Sequence, residues 1–377
     1  MIEISAVFDA YINANILLIV AYLGWLAVAY GLDRAGLGGA HTTRLGLLNG
    51  VFLAVLFAPL VVVAYALTLR AGALPPGVSL SVSDFVVARY LSGGFDMKPT
   101  EFESVMDFRA ELSAQILSMS SVTGMIIASG LIAGFAWCSA RLALNIHALR
   151  RIIRDSHLWR QFGLVELRLS DRVSIPFSTR GLRRRYVVIP SAMLADSDDL
   201  KMALAHEFQH LRHSDLEWEV ALEFMRPLLF WNPVYFLWKR RVEQLRELAC
   251  DQRVLATNRF NVADYCECLL RVCRDSVARR SDAWGAVPTV PLVAAGTHGG
   301  ATTQFLRQRF TSMLDGSRGG QSRLVSVGWM IALVLLISTA AISIQKTGDW
   351  SHDRLMLSTI VNLERLEVIN TFGQRSP

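Results

Sequence analysis

The sequence predicts an α-helical integral membrane protein with four transmembrane helices and a cytoplasmic α+β domain between the third and the fourth. Three observations predict it. Hydrophobic residues fill 52% of the 377 positions and charged residues only 19%, with a mean hydropathy of +0.35, whereas a soluble chain carries about a quarter charged residues. The apolar residues gather in four long runs, three of them in the N-terminal part. Between the third and fourth runs lies a basic segment whose short β-type runs give way to helical periodicity. This composition excludes a disordered or collagenous chain, and five cysteines exclude a disulfide scaffold.

The spans are expected at Ala14 to Leu32, Leu45 to Leu69, Ile116 to Ile146 and Leu324 to Ile344, each offering roughly 20 apolar residues without a central charge. The third exceeds what a bilayer needs, so its membrane part is expected to end near Cys138, before Arg141 and Asn145. Met1 to Ala10 contains Glu3 and Asp9 but no Lys or Arg, so the first span is not expected to be a cleaved signal peptide. Arg34 and Arg44 lie in the first loop, Arg150, Arg151 and Arg154 follow the third span, and Arg318 and Arg323 precede the fourth. By the positive-inside rule these segments face the cytoplasm and both termini lie outside. The expected organisation is therefore residues 1–146 with three spans and an acidic extracytoplasmic loop at about 70–115, a cytoplasmic domain at 147–323, a fourth span at 324–345 and an extracytoplasmic tail at 346–377. In the loop, Pro99-Thr100-Glu101 starts a helix through Phe102, Val105, Phe108 and Leu112. In the tail, Leu355, Ile360, Leu363 and Leu366 form an apolar stripe. These two pieces can cover each other, the membrane surface or a partner, and the sequence does not choose.

The formal charge of +6 follows mostly from this topology. Arg183, Arg184 and Arg185, like Lys239, Arg240 and Arg241, suit anionic lipid; no nucleic-acid motif accompanies them, and no direct nucleic-acid contact is expected. Cys138 falls in a span, and Cys250, Cys266, Cys268 and Cys273 fall in the reducing compartment, so disulfides are not expected. Cys266, Leu269, Leu270 and Cys273 share one helical face and read as core rather than as metal ligands.

The cytoplasmic domain begins with β-type runs at Val165 to Leu169, Val173 to Phe177 and Tyr186 to Ile189. Asp198 or Asp199 then caps a helix running to Leu211 that carries His206-Glu207-Phe208-Gln209-His210. Residues four apart share a helical face, so His206 and His210 can reach one Zn²⁺, while Glu207 stands where it can act on a water in the open position. A catalytic zinc takes a third protein ligand. On the helical segment Lys239 to Leu255, Glu243, Glu247 and Asp251 form one stripe, and Glu247 completes a His₂Glu set in a zincin-like metallopeptidase domain holding one zinc per chain. The alternative for Glu247 is a solvated acidic stripe pairing with Arg240 or Arg246, and His213 is an alternative ligand.

His206-Glu207-Phe208-Gln209-His210, Trp231-Asn232-Pro233 and Arg246-Glu247-Leu248-Ala249-Cys250-Asp251 together resemble the membrane metallopeptidases that include the BlaR and MecR antirepressors. Pro176-Phe177-Ser178, Val187-Val188-Ile189-Pro190 and the Leu306 to Leu314 segment with Arg309 fit the same pattern, as does the layout of the spans. The resemblance implies zinc on His206, His210 and Glu247, with Glu207 as general base, Asp251 holding a zinc imidazole through its other ring nitrogen, and Cys250 as a buried thiol. It further implies a multi-pass protein of a bacterial inner membrane that cleaves a winged-helix transcriptional repressor, itself, or both. Membrane lipid and a second copy of the chain complete the expected partners. The family's antirepressors carry a penicillin-binding domain after the last span; residues 346–377 cannot form one, so β-lactam sensing by this chain alone is not expected, and Ser343 to Lys346 matches SxxK only by spelling.

An extended substrate is expected on an edge strand at Val173, Ser174, Ile175, Pro176 and Phe177. Tyr265, Arg271 and His298 are candidate oxyanion donors, and Trp284 to Gly300 is a candidate flap or cleavable loop. Two alternatives stay open: a protease of membrane-protein quality control or maturation, and a non-catalytic signalling scaffold held together by zinc.

Overall fold

The computed structural model describes residues 4–71, 82–94, 96–181, 183–278, 290–291, 299–315, 323–344 and 352–373. Five helices come first: α1 (Ile4–Arg34), α2 (His41–Arg70), α3 (Val82–Leu91), α4 (Pro99–Ser118) and α5 (Val122–Asp155). Strands β1 (His157–Phe162), β2 (Val165–Ser170), β3 (Phe177–Arg180) and β4 (Arg185–Pro190) follow. Then come α6 (Ser197–Arg212), α7 (Asp215–Leu229), α8 (Pro233–Ala256), α9 (Val262–Ala278), β5 (Val290–Pro291), α10 (Gly299–Leu314), α11 (Arg323–Ser343) and α12 (His352–Gly373). Among the described residues α1, α2, α5 and α11 are the four helices long and apolar enough to cross a membrane.

The third expected span, Ile116 to Ile146, divides at its start. Ile116 belongs to α4, which Met119 closes in the left-handed conformation at φ 50°. Ser121 then accepts a hydrogen bond from the Gly124 amide and restarts the chain as α5. That helix continues unbroken through Arg150 and Arg154 to Asp155.

One compact unit comprises residues 1–27, 50–132 and 327–377. In it α3, α4 and α12 cover one another: Val87, Phe102, Leu357 and Val361 are buried together, and the rings of Tyr90 and Phe102 stack at 4.0 Å. The Thr100 amide donates to Glu364 Oε2 at 3.0 Å, and Arg365 pairs with Glu103 at 2.5 Å. Of the options left open by the sequence, mutual packing is therefore present, while Val105 and Phe108 of the expected α4 stripe are exposed. The buried face of α12 carries Leu357 and Val361, whereas Leu363 and Leu366 of the expected stripe are exposed.

The second unit comprises residues 28–49 and 133–326. Its sheet has the order β1-β2-β4-β3-β5, with β2 and β4 parallel and the other neighbours antiparallel. Alternate side chains of β4 serve opposite faces. Val187 and Ile189 join Leu167, Leu211 and Leu216 on the α6 side, and Val188 joins Phe177 and Leu149 on the α5 side. Strand β1 was not evident in the sequence, because all its residues are exposed and it exists by pairing with β2. The run expected from Val173 to Phe177 becomes a strand only at Phe177 and continues to Arg180; Pro176, lacking an N–H, cannot donate to a ladder. The loop before α2 and the first residue of α2 are tied to later helices, with Gln252 of α8 donating to the Gly39 carbonyl and His41 bonded to Ser312 of α10 at 2.9 Å.

Candidate metal centre

Helix α6 starts one turn earlier than its apolar pattern suggests. Asp196, rather than Asp198 or Asp199, is the cap, accepting from the amides of both. Asp199 instead receives Arg271 at 2.8 and 2.5 Å. The cap fixes the helix so that His206, Glu207 and His210 lie on its buried face with no solvent exposure.

The Nε2 atoms of His206 and His210 stand 3.1 Å apart. Helix α8 brings Glu247 against them, Oε2 at 3.4 Å from His206 Nε2 and Oε1 at 3.7 Å from His210 Nε2. The Cys250 sulfur, one turn on, lies 3.5 Å from His206 Nδ1, and His206, His210 and Cys250 form a buried cluster able to hold a metal ion. Both Glu207 oxygens and Glu247 Oε2 are buried without a hydrogen-bond partner. Such acceptors are costly unless something positive or hydrogen-donating sits among them.

The remaining ring nitrogens are accounted for. His210 Nδ1 faces Asp215 Oδ2 at 2.8 Å. His206 Nδ1 faces the Tyr265 hydroxyl at 2.8 Å, which donates in turn to Asp251 Oδ1 at 2.9 Å. With both Nδ1 atoms donating, both Nε2 atoms present lone pairs to each other and to a carboxylate. A cation satisfies that arrangement, and the donor set of two imidazoles with a carboxylate or thiolate suits zinc.

Without a cation, the surroundings favour positive charge on the imidazoles themselves. Burial opposes charging His210, but Cys250, Asp215 and Glu247 overcome it and raise the imidazole to about 10. His206 is raised for similar reasons against the same burial. Burial pushes the Glu207 carboxyl up, against the pull of the two imidazoles, with the Ser178 hydroxyl of β3 beside it. Asp251 is held well below the usual carboxylate range despite burial, chiefly by Arg309. Arg309, fully buried on α10, donates to both Asp251 oxygens at 2.7 Å and stands 3.5 Å from Glu247.

Asp251 lies on the Nδ1 side of His206 as expected, its Oδ1 3.4 Å away, with the Tyr265 hydroxyl bonded to both. Other expected site residues occupy other places. Tyr265 has its hydroxyl on the Nδ1 side of His206 and Arg271 has its guanidinium on Asp199, so both are engaged away from the paired Nε2 atoms. His213 is exposed, with Nδ1 against the Gln209 carbonyl of its own helix. His298 lies outside the described residues, as does most of the Trp284 to Gly300 stretch; its Val290–Pro291 forms β5. Cys268 is buried in the core with Cys250, Val254 and Leu269, and Cys266 and Cys273 pack against it.

Asp215 escaped the sequence reading. It follows His210 by five residues, across a break where Ser214 takes φ 57°, so no helical spacing links the two. The signal available was the acidic start of α7 directly after the histidine helix.

A family model described as BlaR1 peptidase M56 matches residues 50–290 of this chain. No curated protein matches it.

Proposed function

We propose that this chain, which belongs to the BlaR1 peptidase M56 family, is an integral-membrane zinc endopeptidase acting on the cytoplasmic side. The observation that carries the reading is the pair of Nε2 atoms 3.1 Å apart, faced by Glu247 and flanked by the unpartnered Glu207 carboxylate. His206, His210 and Glu247 hold the metal, with Cys250 as a buried thiol beside them. Zinc, when bound there, would supply a Lewis acid for the scissile carbonyl and would lower the pKa of a water. Glu207 takes the proton from the attacking water and returns it to the leaving amine. Asp215 and the Tyr265–Asp251 pair hold the imidazoles in the tautomer that leaves Nε2 open.

A scaffold with a purely structural metal has no use for Glu207, whose buried oxygens lack a partner. Its retention supports catalysis.

The substrate is an extended peptide paired with β3, the strand that carries Ser178 past Glu207. Val290–Pro291 of the chain itself lies antiparallel to Phe177 and Ser178 there. That pairing supports cleavage of the chain itself alongside a repressor, within a signalling role. The basic residues around the peptidase segment support its cytoplasmic orientation.

The test is Glu207→Gln in the full chain. Zinc content should equal that of the wild type, while new N-termini seen in wild-type cells, from a repressor or from the chain, should vanish. Persistence of those termini in the variant would refute the mechanism; a substrate set made only of misassembled membrane proteins would move the role to quality control.

A further inference from the structure

A cleft of the peptidase unit has none of the metal-centre residues in its lining. Its volume is about 1200 Å³, and its walls are the C-terminal part of α5, the turn between β3 and β4, and α7. On α5 the lining is wholly apolar at Leu142 and Ile146, and further along Arg150 and Arg154 join Leu149 and Ile153. The facing wall follows the same order of polarity, with the exposed apolar side chains Val220 and Phe224 on α7 and Arg180, Arg183 and Arg184 at the turn.

The charge of the cleft is uncompensated. Glu219 and Glu223 also line it, but Lys239 lies 2.8 Å from Glu219 and 3.0 Å from Glu223, and Arg246 lies 2.8 Å from Glu219. Arg180 pairs with Glu217 and Arg184 with Glu166. No ion pair engages Arg150 or Arg183 among the described residues, and Arg154, 81% exposed, is only 3.9 Å from Asp155 of its own turn. Three arginines therefore face the cleft with little or no neutralisation.

The level of the cleft relative to a bilayer follows from α5. Phe230, at the end of α7, packs on Gly134 so closely that a Cβ there would stand 2.1 Å from its ring. Gly134 lies in the apolar part of the membrane helix. Leu228 and Trp231 on either side of Phe230 are exposed, as are Phe236 and Leu237 at the start of α8. A corner of the peptidase unit thus presents exposed apolar side chains beside the apolar part of α5. The sequence ends the membrane part of α5 near Cys138, one turn before Leu142, so the lining runs from the membrane edge at Leu142 to Arg150, about 12 Å further along the helix.

We propose that this cleft binds one anionic phospholipid of the leaflet beside the peptidase unit, its acyl chains on Leu142, Ile146, Val220 and Phe224 and its phosphate on Arg150, Arg154 and Arg183. The graded polarity favours a lipid over an acidic peptide: a peptide satisfies the arginines but leaves the apolar end of the cleft without an occupant. The bound lipid fixes α5 against the sheet that carries β3.

The experiment uses the full chain in nanodiscs of phosphatidylcholine with a minority of phosphatidylglycerol. Native mass spectrometry after release should show retained phosphatidylglycerol enriched about tenfold or more over its share of the disc. The triple variant Arg150→Ala, Arg154→Ala, Arg183→Ala should lose that enrichment, while Arg160→Ala, Arg259→Ala, Arg307→Ala, which removes exposed arginines elsewhere, should keep it. A photoactivatable phosphatidylglycerol should label wild-type peptides containing Leu142, Ile146 or Phe224, a reading independent of whether the variants fold. Equal loss in both triple variants, labelling elsewhere, displacement of the lipid by inorganic phosphate, or unchanged enrichment together with lost affinity for an acidic peptide would each overturn the proposal.

Discussion

Replacing Arg309 with Met is expected to damage the metal centre although the residue touches neither histidine. Its guanidinium is 1% exposed, makes two 2.7 Å bonds to Asp251 and lies 3.5 Å from Glu247. Removing one partner of such a pair leaves a buried carboxylate uncompensated, at a cost of about 3–5 kcal/mol. A domain stable by about 5–15 kcal/mol then loses a large part of its margin. Asp251 also accepts from the hydroxyl that orients His206, so zinc affinity should fall by about 10–100-fold. The double variant Arg309→Met, Asp251→Asn removes both charges and should regain a substantial part of the lost stability, because a paired deletion avoids the orphan. Denaturant unfolding of the detergent-solubilised chain gives the first quantity, and competition with a chromophoric chelator gives the second. A single variant within about 1 kcal/mol of wild type, or a double variant no better than the single, would refute the reasoning from an isolated buried charge.

Asp215→Ala should leave His210 Nδ1 without its acceptor and weaken zinc binding about 10–100-fold in the same chelator assay, with less loss for Asp215→Asn. Burial would raise the Glu219 carboxyl, but Arg246 and Lys239 lower it to about 2 from a model-peptide value of 4.5. Its contribution to stability is therefore complete above the unfolded value and disappears as pH falls toward the folded one, so the unfolding temperature should drop between these pH values in wild type and less steeply in Glu219→Gln. Gly134→Ala should force the Phe230 ring aside at about 1–3 kcal/mol, and Phe230→Leu in the same chain should relieve part of that loss in a thermal-shift measurement.

The residues legible in the sequence are those whose relation is carried by one helix. His206 and His210 share a turn spacing, and so do Glu247 and Asp251, so each pair announces its common face without reference to the fold. The membrane helices were legible because length and apolarity are local properties, although the break at Met119 depends on one left-handed residue that composition does not mark. The groups that hold the ligands are of another kind. Asp215 meets His210 across a turn, Tyr265 meets His206 from α9, and Arg309 reaches Asp251 from α10, 58 residues away. Each is a contact between elements, for which no periodicity exists. The expected edge strand shows the same limit: the alternation of Val173 to Phe177 is real, yet the ladder begins where Pro176 ends, and β3 is flanked by β4 and β5 rather than lying at the edge of the sheet.

This division also bears on what keeps the centre intact. The proposed ligands on α6 and α8 are positioned by three helices through buried polar atoms: Asp215 on α7, Tyr265 on α9 and Arg309 on α10. Two of the three converge on Asp251, which receives Tyr265 and Arg309 together. Displacement of α9 therefore breaks the Tyr265 bonds to both His206 and Asp251, whereas displacement of α10 removes Arg309 from the carboxylate that anchors Tyr265. Helix α10 is in turn held to the first residue of α2 by the 2.9 Å bond between Ser312 and His41, so the start of α2 supports the proposed ligand set through Arg309 while contributing no ligand of its own.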